Sequence, residues 1–243
     1  MKNIIFIMDV DLQGSTTSYK YSIDSWKCWA AKNDAEVFIL NDTLMPNKDM
    51  DIRWQRYYLF DILESNNIEY NQIAMVNANT IIHPNAPNFF ELTNNKFTGV
   101  FCDSNYDQVI RSLENYSKYI FNGLMPDLFK YIDNGFMIVN KKHKEFFVKI
   151  TNFYHENSEL LREIETKLQG GVDQTPVNIL IHKENIDLKL LPYEYNMVDM
   201  RRKEILQENM VFTKIGYIYQ FNDQATYYWM KKTYEYLYGE LND

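Results

Sequence analysis

Cysteine is scarce in this chain. Cys28 and Cys102 are the only two in 243 residues, and they stand far apart with no metal-ligand pattern. Reduced thiols are therefore the expected state. Eight glycines and six prolines are spread thinly, so no Pro/Gly linker, repeat or low-complexity tract divides the sequence. Positive charge is also short: 25 Lys and Arg stand against 33 Asp and Glu, for a net charge of −8. That balance argues against a general nucleic-acid binder, which needs a basic face, but leaves room for a local basic pocket that takes a diphosphate. No apolar run approaches the about 20 residues of a membrane span. The run Ile4–Met8 is cut short by Asp9 and Asp11, too early for a signal-peptide core, so a soluble cytoplasmic protein is expected. The four histidines, His83, His143, His155 and His182, show no ligand spacing, and His143 and His155 read as surface positions. There is no Walker loop, no G-x-G-x-x-G and no G-x-S-x-G. Kinase, Rossmann dehydrogenase and serine hydrolase chemistries thus lack their phosphate loops or nucleophile.

What is present is ordinary globular composition, 46% hydrophobic and 24% charged, with an excess of aromatics. Nineteen tyrosines supply rings with a polar tip, which serve a core or a wet carbohydrate cleft. Strand and helix patterns alternate from the start. Ile4–Met8 reads as a strand apolar on both faces. Tyr19–Lys32 reads as a helix with Tyr21, Trp26, Trp29 and Ala30 on one side. A strand over Glu36–Leu40, a helix over Arg53–Ser65 and a strand over Gln72–Val76 follow. The prolines Pro84 and Pro87 then take the chain out of the sheet. Further strands are expected at Phe97–Phe101, Phe136–Val139, Leu188–Leu191 and Lys214–Phe221. Helices are expected in part of 103–127, over Glu145–Leu168 and Val172–His182, and at the end from about 224 to 238. This order predicts an α/β fold with a mostly parallel twisted sheet and helices on both faces. Ligands of such sheets bind beyond the strands' carboxyl ends, which directs attention to the residues after Met8, Val76, Val139 and Phe221.

Three segments carry the chemistry, in order: Met75-Val76-Asn77-Ala78-Asn79-Thr80, Asn134-Gly135-Phe136-Met137-Ile138-Val139-Asn140-Lys141 and Asp173-Gln174-Thr175-Pro176-Val177-Asn178. Together they make the chain resemble the GT-A glycosyltransferases, in particular the glycogenin-like group and transferases encoded by some large phages, over roughly residues 3 to 222. The resemblance implies one GT-A-like domain over 1–243 with a C-terminal helix. It also implies that Asn77 and Asn79 stand where relatives carry the two aspartates of a D-x-D motif, which hold Mn²⁺ or Mg²⁺ against the donor diphosphate. A third ligand, often histidine, corresponds to Gln220. All three positions are amides here. Hard divalent cations want charged oxygen ligands, so metal affinity is expected to be weak and no metal is expected to be required. A turn role for Asn77 and Asn79 is the plainer alternative.

Without metal, positive charge must come from side chains. The candidates are Arg53 and Arg56, three apart on one helix, Lys214 at the opening of the late strand, and Arg201 and Arg202. The resemblance places Asp9, Val10 and Asp11 at the nucleotide base and ribose, with Tyr19 or Tyr21 available to stack. It places Asp173 and Gln174 beside the donor sugar. There an aspartate near a helix N-terminus can stabilise an oxocarbenium-like centre or take the acceptor proton; the plain alternative is a helix cap. Asp103, Asp133, Asn134 and Gly135 are expected around the sugars.

The sequence therefore points to transfer of a hexose from a nucleoside-diphosphate sugar, with UDP-sugar as the leading donor, to a glycan or other hydroxyl acceptor. The alternative is a degenerate transferase that binds without turnover. A nucleotidyltransferase of related fold ranks last, because Asp9–Ser18 holds one glycine and no basic residue.

Overall fold

The computed structural model describes residues 1–10, 19–198, 200, 204–222 and 226–239. Six strands form one sheet in the order β2-β1-β3-β6-β5-β7. They are β1 (Lys2–Met8), β2 (Ala35–Leu40), β3 (Tyr70–Asn77), β5 (Phe97–Phe101), β6 (Ile132–Asn140) and β7 (Leu188–Leu191). A separate pair joins β4 (Thr80–Ile82) to β8 (Ile218–Gln220), antiparallel, with Thr80 opposite Gln220. The helices are α1 (Lys20–Lys32), α2 (Ile52–Gln55), α3 (Leu59–Ser65), α4 (Tyr106–Tyr119), α5 (Lys144–Leu168), α6 (Gln174–Lys183), α7 (Glu204–Gln207) and α8 (Thr226–Tyr238).

Burial on both faces explains the apolar strands. Ile4, Phe6, Ile73, Met75, Met137 and Val139 face one core, with Trp54, Phe60, Phe147 and Ile150 from the helices. The alternate residues Ile5, Ile7, Ala74, Val76, Phe136 and Ile138 face the other, with Trp26, Trp29 and Phe89. There Trp29 stacks on Phe89 at 4.5 Å. This period-two division is what a two-sided sheet requires. A third cluster wraps the β4–β8 pair with Met197, Met210, Phe212 and Met230.

The pairings β1–β2, β1–β3 and β5–β7 are parallel, and β6 runs antiparallel to both its neighbours. This reversal corrects one expectation. Val139 lies near the carboxyl end of β6, on the sheet edge away from the ends of β1, β3 and β5. It is the start of β6 that shares their edge. The start is also distorted: Gly99 faces Met137 but Phe101 faces Ile132, so two steps on β5 oppose five on β6. Bulges of this kind re-aim side chains beside active sites, and this one presents Asp133, Asn134 and Gly135. Those residues lie inside the strand rather than before it.

Other expectations shift locally. Ile81 and Ile82 stay in β-structure, as β4, before the prolines turn the chain away. The helix expected over Arg53–Ser65 is interrupted by a 3₁₀ turn at Arg56–Tyr58, a feature that often marks a functional point in a helix. Lys214 does not open the last strand; it ends a 3₁₀ segment and is exposed. His143 is buried rather than at the surface: its Nδ1 accepts the Asn140 N–H at 3.0 Å, closing a capping box ahead of α5.

Candidate functional site

β1 and β3 end side by side, Met8 opposite Asn77, and a cavity of 380 Å³ opens over their tips. Met8, Val10, Tyr19, Asn77, Ala78 and Asn79 line it from the sheet side, and Arg53 and Arg56 from the helical side. Asp9 lies between two of these positions and donates its N–H to Leu40 O at 2.9 Å. Asp11, Arg201 and Arg202 lie outside the described residues. Of the two candidate stacking rings, Tyr19 faces this cavity, whereas Tyr21 packs on Tyr227 and Tyr234, with centroids 5.6 Å away in both cases.

The two arginines part company. Arg53 is exposed, and its guanidinium pairs with Asp51 at 2.8 Å and Glu165 at 3.0 Å. The Arg56 side chain is only 11% exposed. Its Nη1 donates to Asn77 Oδ1 at 3.0 Å, and its Nη2 forms an ion pair with Asp173. Burial works against the Arg56 charge, but the neighbouring Asp173 carboxylate outweighs it and raises the guanidinium's pKa further. One buried cation thus bridges Asn77 and the carboxylate at the mouth of α6.

Asp173 is held from three directions. Besides Arg56, Tyr57 Oη donates to its Oδ2 at 2.8 Å and Asn134 Nδ2 at 3.1 Å. Asn134 Nδ2 also reaches Tyr57 Oη at 2.8 Å. Burial first, and then the Asp173 charge, push the Tyr57 hydroxyl well above its ordinary pKa, so it stays a donor. Asp173 precedes α6 without capping it. Its side chain turns instead toward Arg56, Tyr57 and Asn134. Tyr57 was not among the residues expected at the site. In sequence it reads as one more apolar position of a helix, and only the fold brings it to a carboxylate 116 residues away. Next to Asp173, Gln174 accepts the Asn134 N–H at 3.2 Å and donates to Cys102 Sγ at 3.2 Å.

Asp133 is fully enclosed on the other side of the bulge. Its Oδ1 accepts the Gly135 N–H at 2.7 Å and Asn196 Nδ2 at 3.2 Å. Burial raises its pKa, partly offset by the Gly135 bond. Gly135 is required here by close approach: a Cβ would lie 1.9 Å from Gln220 Oε1. Gln220 itself is buried, at 4% exposure. Asp103 stands elsewhere, in a second groove past the end of β5, and Lys214 lines neither cavity.

The side chains of Asn77, Asn79 and Gln220 do not suit a divalent cation. Asn77 Oδ1 is already taken by a guanidinium. The Asn79 amide is committed as a donor, to Phe221 O and to Asn222 Oδ1, each at 2.7 Å. Gln220 Oε1 is directed onto Gly135. None of these three side chains is a carboxylate, and no group of three His, Cys, Asp or Glu residues able to hold a metal occurs among the described residues. Among those residues, too, no helix is long and apolar enough to cross a membrane.

No protein-family profile matches the chain, and no curated protein sequence does. Solved structures do. A glycosyltransferase involved in glycosylation of the major capsid of PBCV-1 superposes with a TM-score of 0.59 at 8% identity, over 94% of this chain and 99% of that one. The galactosyltransferase LgtC, solved with donor and acceptor sugar analogs, gives 0.55 at 10% identity over 99% and 98%. GlyE of Streptococcus pneumoniae TIGR4, a glycosyltransferase in its apo form, gives 0.51 at 9% identity over 92% of this chain and 55% of that one. Taken with the sheet order and the helices on both faces, these likenesses establish the GT-A glycosyltransferase fold for this chain.

Proposed function

We propose that the protein transfers a glycosyl group from a nucleoside-diphosphate sugar to a hydroxyl acceptor, with the Arg56 guanidinium taking the part of the divalent cation. The observation that carries this reading is the position of Arg56, buried between Asn77 and Asp173 at the edge of the 380 Å³ cavity. A diphosphate leaving group accumulates negative charge as the bond to sugar C1 breaks. A preoriented cation in a partly enclosed site stabilises that charge without reorganising. Arg53 is less suited, because Asp51 and Glu165 already share its charge in a more open setting.

In this mechanism the acceptor oxygen bonds to C1 while the C1–O bond to the diphosphate breaks and its electron pair leaves with the diphosphate. The acceptor proton passes to the departing phosphate oxygen. Asp173, fixed by three donors, serves as an oriented negative charge facing the oxocarbenium-like centre. Tyr57 and Asn134 position it, and Gln174 is steadied by the bulge and by Cys102. A hexose, a uracil-type base at Asp9–Asp11 and a glycan acceptor complete the proposal; the donor and acceptor sugar analogs held by LgtC support that general pairing.

Hydrolysis of a panel of UDP- and GDP-sugars, measured with EDTA and again with Mn²⁺, tests this reading. Hydrolysis unaffected by EDTA is the expected result. Turnover seen only with Mn²⁺ would refute the role of Arg56, and binding of a sugar nucleotide without hydrolysis of any donor would favour a non-catalytic binder.

A further inference from the structure

The second groove, past the tip of β5, has a volume of 480 Å³, within the range of small-molecule sites. Its chemistry differs from that of the first cavity. Phe101, Val109, Leu128 and Phe129 make its walls apolar, and Asp103 is the one charged side chain among its lining residues. Phe129 is 83% exposed and Tyr106 is 70% exposed. Large rings left in water around a concave apolar surface mark a surface that something covers.

Its place in the sheet says what that is. Along the edge where β1, β3 and β5 end, the order is the Asn77 cavity, then Asp173 and Gln174 against the start of β6, then this groove. The groove is bonded directly to the segment that carries Asp173. Cys102 on its wall receives Gln174 Nε2 at 3.2 Å, and Tyr131 Oη meets Thr175 Oγ1 at 2.8 Å. A donor on one side of Asp173 leaves the other side for the acceptor. A bare sugar needs many hydrogen-bond partners, whereas these walls offer few, so an apolar group attached to the acceptor matches them better.

Resting on the transferase reading, we infer that this groove holds an alkyl or aryl aglycone of the acceptor, with a hydroxyl of the same molecule presented at Asp103. The acceptor is then an amphiphilic glycoside rather than a free sugar.

The test uses the whole chain with octyl β-D-glucoside below its micelle concentration and D-glucose as the control, by titration calorimetry and saturation-transfer NMR. Octyl glucoside is expected to bind at least about tenfold more tightly than glucose, since burial of a few methylenes suffices for that factor. Its chain should receive saturation from the Phe129 and Tyr106 rings. The doubly substituted Phe129→Ala, Tyr106→Ala protein should lose about the same factor. The two rings are exposed, and circular dichroism checks that the variant is folded. Equal binding of the two ligands, or an octyl chain without contacts to those rings, overturns the inference. Donor hydrolysis in the wild-type protein is read separately. Hydrolysis without alkyl preference sinks the groove and leaves the transferase standing, while alkyl preference without hydrolysis does the reverse.

Discussion

The two edges of the central sheet handle buried polarity in opposite ways. At the edge opposite Asp173, where a shallow cavity is also lined by Gln72 and Phe90, polar groups close on one another. Gln72 donates to Phe90 O at 3.0 Å and accepts from Thr93 Oγ1 at 2.6 Å. Asn140 takes the Lys142 N–H at 3.1 Å, donates to Asn95 O at 3.2 Å, and pairs its own N–H with His143. At the edge bearing Asp173, capacity is left over. Arg56 Nε, Asn134 Oδ1, Asn196 Oδ1 and Gln220 Oε1 are buried without partners, four of the six such side-chain atoms among the described residues. Native interiors seldom leave such groups unmet. Their concentration on one edge is what the proposed donor site calls for. The ion pair of Arg56 and Asp173 fits the proposed donor site better than a stabilising role, since buried pairs contribute little net stabilisation.

The sharpest way to break this comparison is to remove the cation. Arg56→Met leaves Asp173 buried with its charge uncompensated, and breaking a buried pair from one side costs about 3–5 kcal/mol. Urea unfolding should show a loss of that order. Arg56→Met combined with Asp173→Asn, which removes both charges, should recover much of it. If the double variant is no more stable than the single one, the loss does not come from an uncompensated Asp173 charge. Donor hydrolysis should be lost in both.

Much of the scaffold was legible beforehand. Apolar runs such as Ile4–Met8 announce strands because burial on both faces leaves no polar position to disguise the pattern. Leu188–Leu191 and Phe97–Phe101 fall where their pattern places them. The direction of β6 is not legible, because apolar spacing carries no sign; the expectation at the residues after Val139 therefore fails, while Asp133, Asn134 and Gly135 at the strand's start share the edge with Asp173. The short motifs single out Asn77, Asn79, Asp173 and Gln174, and the structure places the first two on the cavity and joins Asp173 to Arg56. The bond of Asn77 to Arg56, the hold of Tyr57 on Asp173 and the burial of Gln220 against Gly135 all join residues far apart in sequence, where no local pattern can point. His143 was misplaced for a related reason: its partner is the backbone of Asn140, and a side chain satisfied by backbone leaves no signature in sequence.

His143 also gives the edge opposite Asp173 a pH dependence. Burial lowers its pKa from 6.5 to about 4, partly offset by the Asn140 bond. The unfolded chain therefore takes up a proton at a pH where the folded chain does not, and stability falls as pH drops from 6.5 toward 4. The loss is at most about 3 kcal/mol and levels off below that window. Denaturation at pH 7 and pH 4.5, with His143→Gln as the comparison, measures it. The variant should lose the His143 share of the slope, and an unchanged slope would show that His143 is solvated.

The smallest effect discriminates most finely between the two edges. Gln72→Met removes two hydrogen bonds, to Phe90 O and from Thr93 Oγ1, and leaves those two groups bonded to each other at 3.2 Å; at about 0.5–1.5 kcal/mol for each lost bond, a loss of about 1–3 kcal/mol is expected. Gln220→Met replaces a side chain of the same length whose Oε1 is already stranded. Among the described residues it forfeits only the Nε2 contact to Asn222 Oδ1 at 3.2 Å, next to an exposed residue, so a change within about 0.5 kcal/mol of zero is expected. Two glutamines, both buried and both in strands, should thus respond unequally to one substitution, with urea midpoints read under identical conditions. Equal losses would mean that Gln220 is as fully bonded as Gln72, and the receptive character of the Asp173 edge would then rest on Arg56 and Asn134 alone.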